Sequence, residues 1–157
     1  MSINPNDTTP AAPGANVNVK WQTDVSGNVS AYVAPASVTG TPAAIGIVID
    51  GGGSTPATGS KGFTQVPYGC TITGWTMLAD VSGSAQVTVK KSTYAGFPTT
   101  SSIVASAQPN LSSAQKNTST TLTGWTTAIT AGDVLEFNLD SATTVTRIFL
   151  ELQVTKT

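Results

Sequence analysis

The sequence predicts an all-β chain: an antiparallel β-sandwich, jelly-roll-like, preceded by an extended N-terminal arm and a small β-hairpin. Three observations carry this prediction. Thr is the commonest residue and, with Val, favours the pleated, half-buried surface of a sheet. Apolar and polar residues alternate in run after run, the period of a strand. Fifteen glycines and nine prolines are scattered along the chain, which suits many turns, and no convincing amphipathic helix interrupts them.

The elements follow in order. Residues 1–16 are rich in Pro, Asn, Ala and Thr and read as an extended arm. Val17, Val19 and Trp21 alternate with Asn18, Lys20 and Gln22, Asp24–Asn28 supplies turn chemistry, and Val29, Ala31 and Val33 continue as a second strand. Residues 17–33 are therefore a hairpin module. An isolated two-stranded hairpin is marginal in water, so this one is expected to pack on a partner. Residues 34–42 read as a linker, and 43–157 as the sandwich domain. Within it, Ile45, Ile47 and Ile49 mark one strand, and Gly62–Val66 a short one stopped by Pro67. Cys70–Asp80 is longer; its apolar parity switches near Gly74, which predicts a bulge. Val81–Ser84 reads as a turn into Ala85, Val87 and Val89. Residues 92–118 read as a long excursion. Leu135, Phe137 and Leu139, then Ile148, Leu150, Leu152 and Val154, form the last strands, which puts Glu136 and Glu151 on outward-facing parities.

Composition excludes most catalytic chemistry. The 157 residues contain no His, one Cys and fifteen charged side chains. Acid–base catalysis at neutral pH usually rests on His or on tuned carboxylates, and zinc sites need several His or Cys. Catalytic, cofactor-binding and metal-binding residues are all expected to be absent. The eight acidic residues sit mostly at strand ends and turns. Asp50-Gly51-Gly52-Gly53 lacks the Lys-Ser/Thr of a phosphate loop and precedes no helix. Asp80, Asp133 and Asp140 are the candidates for an edge calcium, without EF-hand spacing. Cys70 is expected to be a small buried hydrophobe.

With a net charge of −1 and Lys90-Lys91 the only basic cluster, nucleic acid is not expected as a partner. No apolar run approaches the ~18 residues of a membrane span, so no membrane partner is expected. The N-terminus lacks the pattern of a signal peptide, so synthesis and retention in a reducing cytoplasm are expected.

Two features are candidate contact sites. Thr71-Ile72-Thr73-Gly74-Trp75-Thr76 recurs as Thr121-Leu122-Thr123-Gly124-Trp125-Thr126. The two Trp are either platforms for sugar rings or two equivalent core positions on facing sheets; the area of an indole favours the core. Tyr94 and Phe97, in the long excursion, are the candidates for an outward-facing contact.

From Ile47 onward a longer pattern emerges. Ile47-Val48-Ile49-Asp50-Gly51-Gly52-Gly53-Ser54, Gly62, Val66-Pro67-Tyr68, Cys70-Thr71-Ile72 and Trp75 are followed by Leu78-Ala79-Asp80-Val81-Ser82-Gly83-Ser84. Tyr94, Pro98, Leu122-Thr123-Gly124-Trp125, Ile129, Ala131-Gly132-Asp133-Val134-Leu135 and Arg147 complete it. This resembles a β-sandwich domain found at the C-terminal end of structural proteins of tailed bacteriophages. Asn18–Asp24 and Ser26–Val33 resemble the short N-terminal segment of such proteins. The resemblance covers about residues 17–34 and 45–154. It implies a virion component rather than an enzyme, and no catalytic residues to carry over. The short chain suits a capsid decoration (cement) protein or short head fibre, located on the capsid surface, with the major capsid protein and itself, as a homotrimer, for partners. The alternative is a tail fibre or tail-associated adhesion module that binds host-surface glycans. The expected attachment residues are Val17, Val19, Trp21, Val29 and Tyr32.

Overall fold

The computed structural model describes residues 19–23, 29–33 and 40–157, with side chains from residue 40 onward. The chain divides into two compact units, Met1–Val38 and Thr39–Thr157. The first contains a two-stranded antiparallel hairpin of β1 (Val19–Thr23) and β2 (Val29–Val33). The arm, the residues between the two strands and most of the linker lie outside the described residues.

The second unit is all-β, as expected. Its strands are β3 (Pro42–Asp50), β4 (Gly59–Gln65), β5 (Cys70–Ser92), β6 (Ser101–Ser102), β7 (Asn110–Ser119), β8 (Ala128–Ile129), β9 (Val134–Thr143) and β10 (Arg147–Lys156). A single 3-10 turn at Tyr94–Gly96 interrupts them. All eight join one antiparallel hydrogen-bonded sheet, with the path β3-β10-β5-β9-β4 and β6, β7 and β8 paired to β5.

The registers explain how one sheet becomes a sandwich. β10 runs beside Cys70–Ala79, and β9 beside Ser84–Ser92, on the same edge of β5. β3 pairs with β10 and β4 with β9. Along the other edge of β5, β7 pairs first with Trp75–Leu78 and then with Gly83–Gln86. The strands thus form a ribbon that folds over at its middle, in the manner of a jelly roll. One half holds β3, β10 and the start of β5; the other holds β4, β9 and the end of β5. Inward residues of both halves, among them Ile45, Ile72, Met77, Val87, Phe137, Leu139, Ile148 and Leu152, form one core.

The predicted bulge is present. Gln153 pairs with Gly74 but Val154 pairs with Ile72, so Thr73 is an extra residue in β5. The insertion turns both Ile72 and Trp75 inward despite their opposite parity.

Four expectations are corrected. Val81–Ser84 is not a turn: β5 continues through it, losing its β7 partners between Leu78 and Gly83, where the ribbon folds. The excursion 92–118 contains β7, a strand whose polar sequence hides it because Leu111 is its one buried side chain. Pro42, placed in the linker, already opens β3, and Gly40 donates to the Lys156 carbonyl, 2.6 Å. Glu136 has the outward parity predicted for it but is buried, because part of the excursion covers it.

Candidate functional site

The fold line is held by carboxylates. Asp80 sits where β5 bends. Its carboxylate accepts from the backbone N–H groups of Val81 (3.0 Å), Thr146 (3.1 Å) and Arg147 (3.0 Å), and from the Thr146 hydroxyl. The Thr146 hydroxyl bond and these backbone donors hold the Asp80 carboxyl well below the usual carboxylate range. Arg147 reaches on to Asp50, through Nε at 2.9 Å and a terminal nitrogen at 2.8 Å to the same oxygen. Asp50 also accepts from the Gly52 N–H, 2.8 Å. That backbone bond, with the Arg147 bond and charge, lowers the Asp50 carboxyl too. Three strands are therefore tied at one corner. A side chain at Gly83 would meet the Thr143 carbonyl at 2.4 Å, so the strands cross there too closely for any Cβ.

The three candidate calcium ligands are not brought together. Asp80 serves the corner. Asp133 is buried, paired with Lys91 at 3.1 Å and accepting from the Thr130 N–H at 2.9 Å. Asp140 accepts from the Thr88 hydroxyl (2.6 Å) and the Asn138 amide (2.7 Å). Among the described residues no group of three His, Cys, Asp or Glu could hold a metal. Cys70 is buried, and burial pushes its thiol up from the ordinary value.

The outer face of the half formed by β4, β9 and the end of β5 carries the loop candidates. Tyr94, in the 3-10 turn, is 73% exposed. Phe97 packs edge-on against Phe63 of β4, with ring centroids 5.0 Å apart and planes at 86°. Thr100 donates to Glu136, which also pairs with Lys90 at 3.7 Å. Burial pushes the Glu136 carboxyl up, but hydrogen bonds from Thr100 and Ser60 and the Lys90 charge outweigh it, leaving it lowered. Further along, Gln86 donates to Gln108 (2.7 Å), and Gln108 to Thr88 (2.8 Å). The excursion thus lies on this face as a cover held by side-chain hydrogen bonds. Phe63 is the site residue that sequence reasoning missed. Its one signal was a large aromatic at an outward position of a short strand.

Both repeated Trp are core residues, 3% and 9% exposed for Trp75 and Trp125. Neither presents a face for a sugar ring. They are not equivalent, however: Trp75 lies in β5, whereas Trp125 lies in a turn before β8, with Gly124 at φ +76°. A cleft of about 350 Å³ runs past Trp75, lined by Gln108, Asn110, Asn117 and Thr121. Its amides already donate within the protein: Asn110 to the Gln108 carbonyl (3.0 Å), Asn117 to the Asn110 carbonyl (2.9 Å) and Gln108 to Thr88.

Of the expected attachment residues, Val17 lies outside the described residues. Val19 and Trp21 fall in β1, Val29 and Tyr32 in β2. The register pairs Val19 with Val33, Trp21 with Ala31 and Thr23 with Val29, while Tyr32 pairs with Lys20. Tyr32 therefore occupies the alternate set of ladder positions from Val19, Trp21 and Val29.

No family model matches the chain, and no curated protein matches it. Among solved structures, the chain is similar to one described as the structure of infectious bursal disease virus Gx strain, at 12% identity and a TM-score of 0.20. That match covers 82% of this chain and 39% of the other.

Proposed function

We propose that this chain is a structural component of a tailed-bacteriophage virion, a capsid decoration protein or short head fibre attached through its N-terminal module. The observation that carries the reading is the division of labour between the two units. In the larger unit the carboxylates of Asp50, Asp80, Asp133, Glu136 and Asp140 are each engaged in holding strands, loops or the fold line together. Such a unit works as a rigid frame, and chemistry is not where its ionisable groups are spent. The smaller unit contains a hairpin of five paired residues a side, too small to be stable by itself in water. It gains stability by docking, on the major capsid protein and on its own copies around a threefold axis.

The adhesion alternative loses its Trp platforms to the core. It would rest on Tyr94 and the Phe63–Phe97 pair alone.

The test uses the full chain, as wild type and as the Val19→Asp/Trp21→Asp double variant. Each is mixed with undecorated capsids and sedimented. Wild type is expected to co-sediment and the double variant to remain in the supernatant, with an unchanged circular dichroism spectrum. Equal co-sedimentation of both would remove the N-terminal attachment. Binding of wild type to host-surface glycan but not to capsids would establish the adhesion reading instead.

A further inference from the structure

The strand path ends at β3 and β4, while β6, β7 and β8 border β5 on its other edge, and the two path ends differ in how they are protected. β4 carries Lys61 and a bulge between Ser60 and Gly62, two devices that discourage edge pairing. β3 carries neither. Its Ala43-Ala44-Ile45-Gly46-Ile47-Val48-Ile49 is seven residues without a charge, and among the described residues β3 pairs with β10 alone. Such an edge is a ready template for another strand.

We infer that the β3 edge is an interaction surface for a second copy of this chain, paired antiparallel about a dyad at Gly46. The sequence of the edge specifies the partner. A pairing centred on Gly46 sets Ile45 opposite Ile47, Ala44 opposite Val48 and Ala43 opposite Ile49 of the other copy. Every pair is apolar, and a twofold contact demands this self-complementarity. Parity agrees as well. Ile45 and Ile49 point into the core and Ile47 is partly buried against it, while Val48 is 58% exposed, so inward positions meet inward ones and outward meet outward.

The outer face supports the same centre. Phe149 of β10 pairs with Val48 on one side and Leu78 on the other, an apolar row across three strands. A Cβ on Gly46 would meet the Phe149 ring at 3.0 Å, so this ring leans over the strand at the proposed dyad. Two such rings, one from each copy, would flank the Gly46 pair and cover its bare backbone. Charges raise no obstacle: Asp50, at the far end of β3, is matched by Arg147 of its own chain. This surface goes beyond the decoration reading and does not involve the N-terminal module.

The experiment is a charge swap at the positions that the register sets opposite each other, read by sedimentation equilibrium of the full chain. Ala44→Lys/Val48→Lys places like charges face to face twice per dimer, and is expected to weaken this self-association by at least about tenfold. Ala44→Glu/Val48→Lys places opposite charges there and is expected to restore it. Self-association untouched by the double-lysine variant, or equally weakened in both variants, would overturn the pairing. The same variants in the capsid assay keep the two ideas separable. Lost and restored self-association across the two variants with capsid binding retained throughout leaves both readings standing, whereas the same pattern of self-association in a chain whose wild type does not bind capsids leaves the edge pairing standing and removes the decoration reading.

Discussion

Two hexapeptides that differ at one position, Thr71–Thr76 and Thr121–Thr126, adopt different structures in this protein. The first runs through β5 and contributes the bulge at Thr73. Its Gly74 is buried where a Cβ would meet the Ser119 carbonyl at 2.9 Å. The second is a turn: the Trp125 N–H bonds back to the Leu122 carbonyl at 3.1 Å, and Gly124 takes a positive φ. Both deliver an indole to the core. Trp125 Nε1 donates to the Ala107 carbonyl at 3.0 Å, whereas Trp75 Nε1 has no such partner among the described residues. The same side chains thus serve once as sheet and once as plug, and the difference lies in what neighbours each backbone. Thr71–Thr76 has β10 on one edge and β8 and β7 on the other. Among the described residues, the backbone of Thr121–Thr126 bonds only locally and to the Ile103 carbonyl.

The largest expected effect treats the two copies alike. Trp75→Ala and Trp125→Ala should each cost roughly 3–5 kcal/mol through the cavity left behind, measured by chemical denaturation. Wild-type emission should be blue-shifted from both residues. A variant of near-normal stability would show that its indole is dispensable to the core. The glycines should then separate the copies. Gly74→Ala is expected to cost roughly 1–3 kcal/mol, because backbone must move to admit the methyl. Gly124→Ala should cost about 1–2 kcal/mol, from its positive φ. Gly124→Asn should recover part of that, since Asn tolerates the left-handed region, whereas Gly74→Asn should recover nothing. Equal behaviour of the two Asn variants would erase the distinction between strand and turn.

A finer contrast comes from the indole N–H. Trp125→Phe removes a hydrogen bond and Trp75→Phe does not, so the first should be the more destabilising by about 1 kcal/mol.

The smallest effect concerns the carboxylate that follows the first copy. The folded Asp80 carboxyl lies below its unfolded value, so the unfolded chain binds more protons in acid. Its contribution is present above the unfolded value near pH 4 and lost as pH falls through the folded one. Stability of Asp80→Asn should therefore fall less between pH 5 and pH 2 than that of wild type. Parallel acid limbs would mean that the corner does not depend on the Asp80 charge.

Much of this architecture was legible in the residues. Ile148, Leu150, Leu152 and Val154 announced β10, and the parity change between Ile72 and Trp75 announced the bulge. β7 was not legible. Asn110–Ser119 lies along β5 with most of its side chains outside the core, so nothing forces an apolar alternation onto it. Within the candidate contact site, Tyr94 and Phe97 stood out as loop aromatics. Phe63 did not, because its pairing with Phe97 joins positions far apart in the chain.

The sequence by itself determined the class of fold, the inward face of the main strands and the absence of His, because alternation and composition are local properties of the chain. The tertiary structure alone decided three things. Asp80 became the tie across the fold line, Glu136 was buried beneath the excursion, and one of two near-identical hexapeptides became a turn. Each depends on which backbone N–H, cation or carbonyl a distant segment brings alongside, and that distance in sequence leaves no local trace.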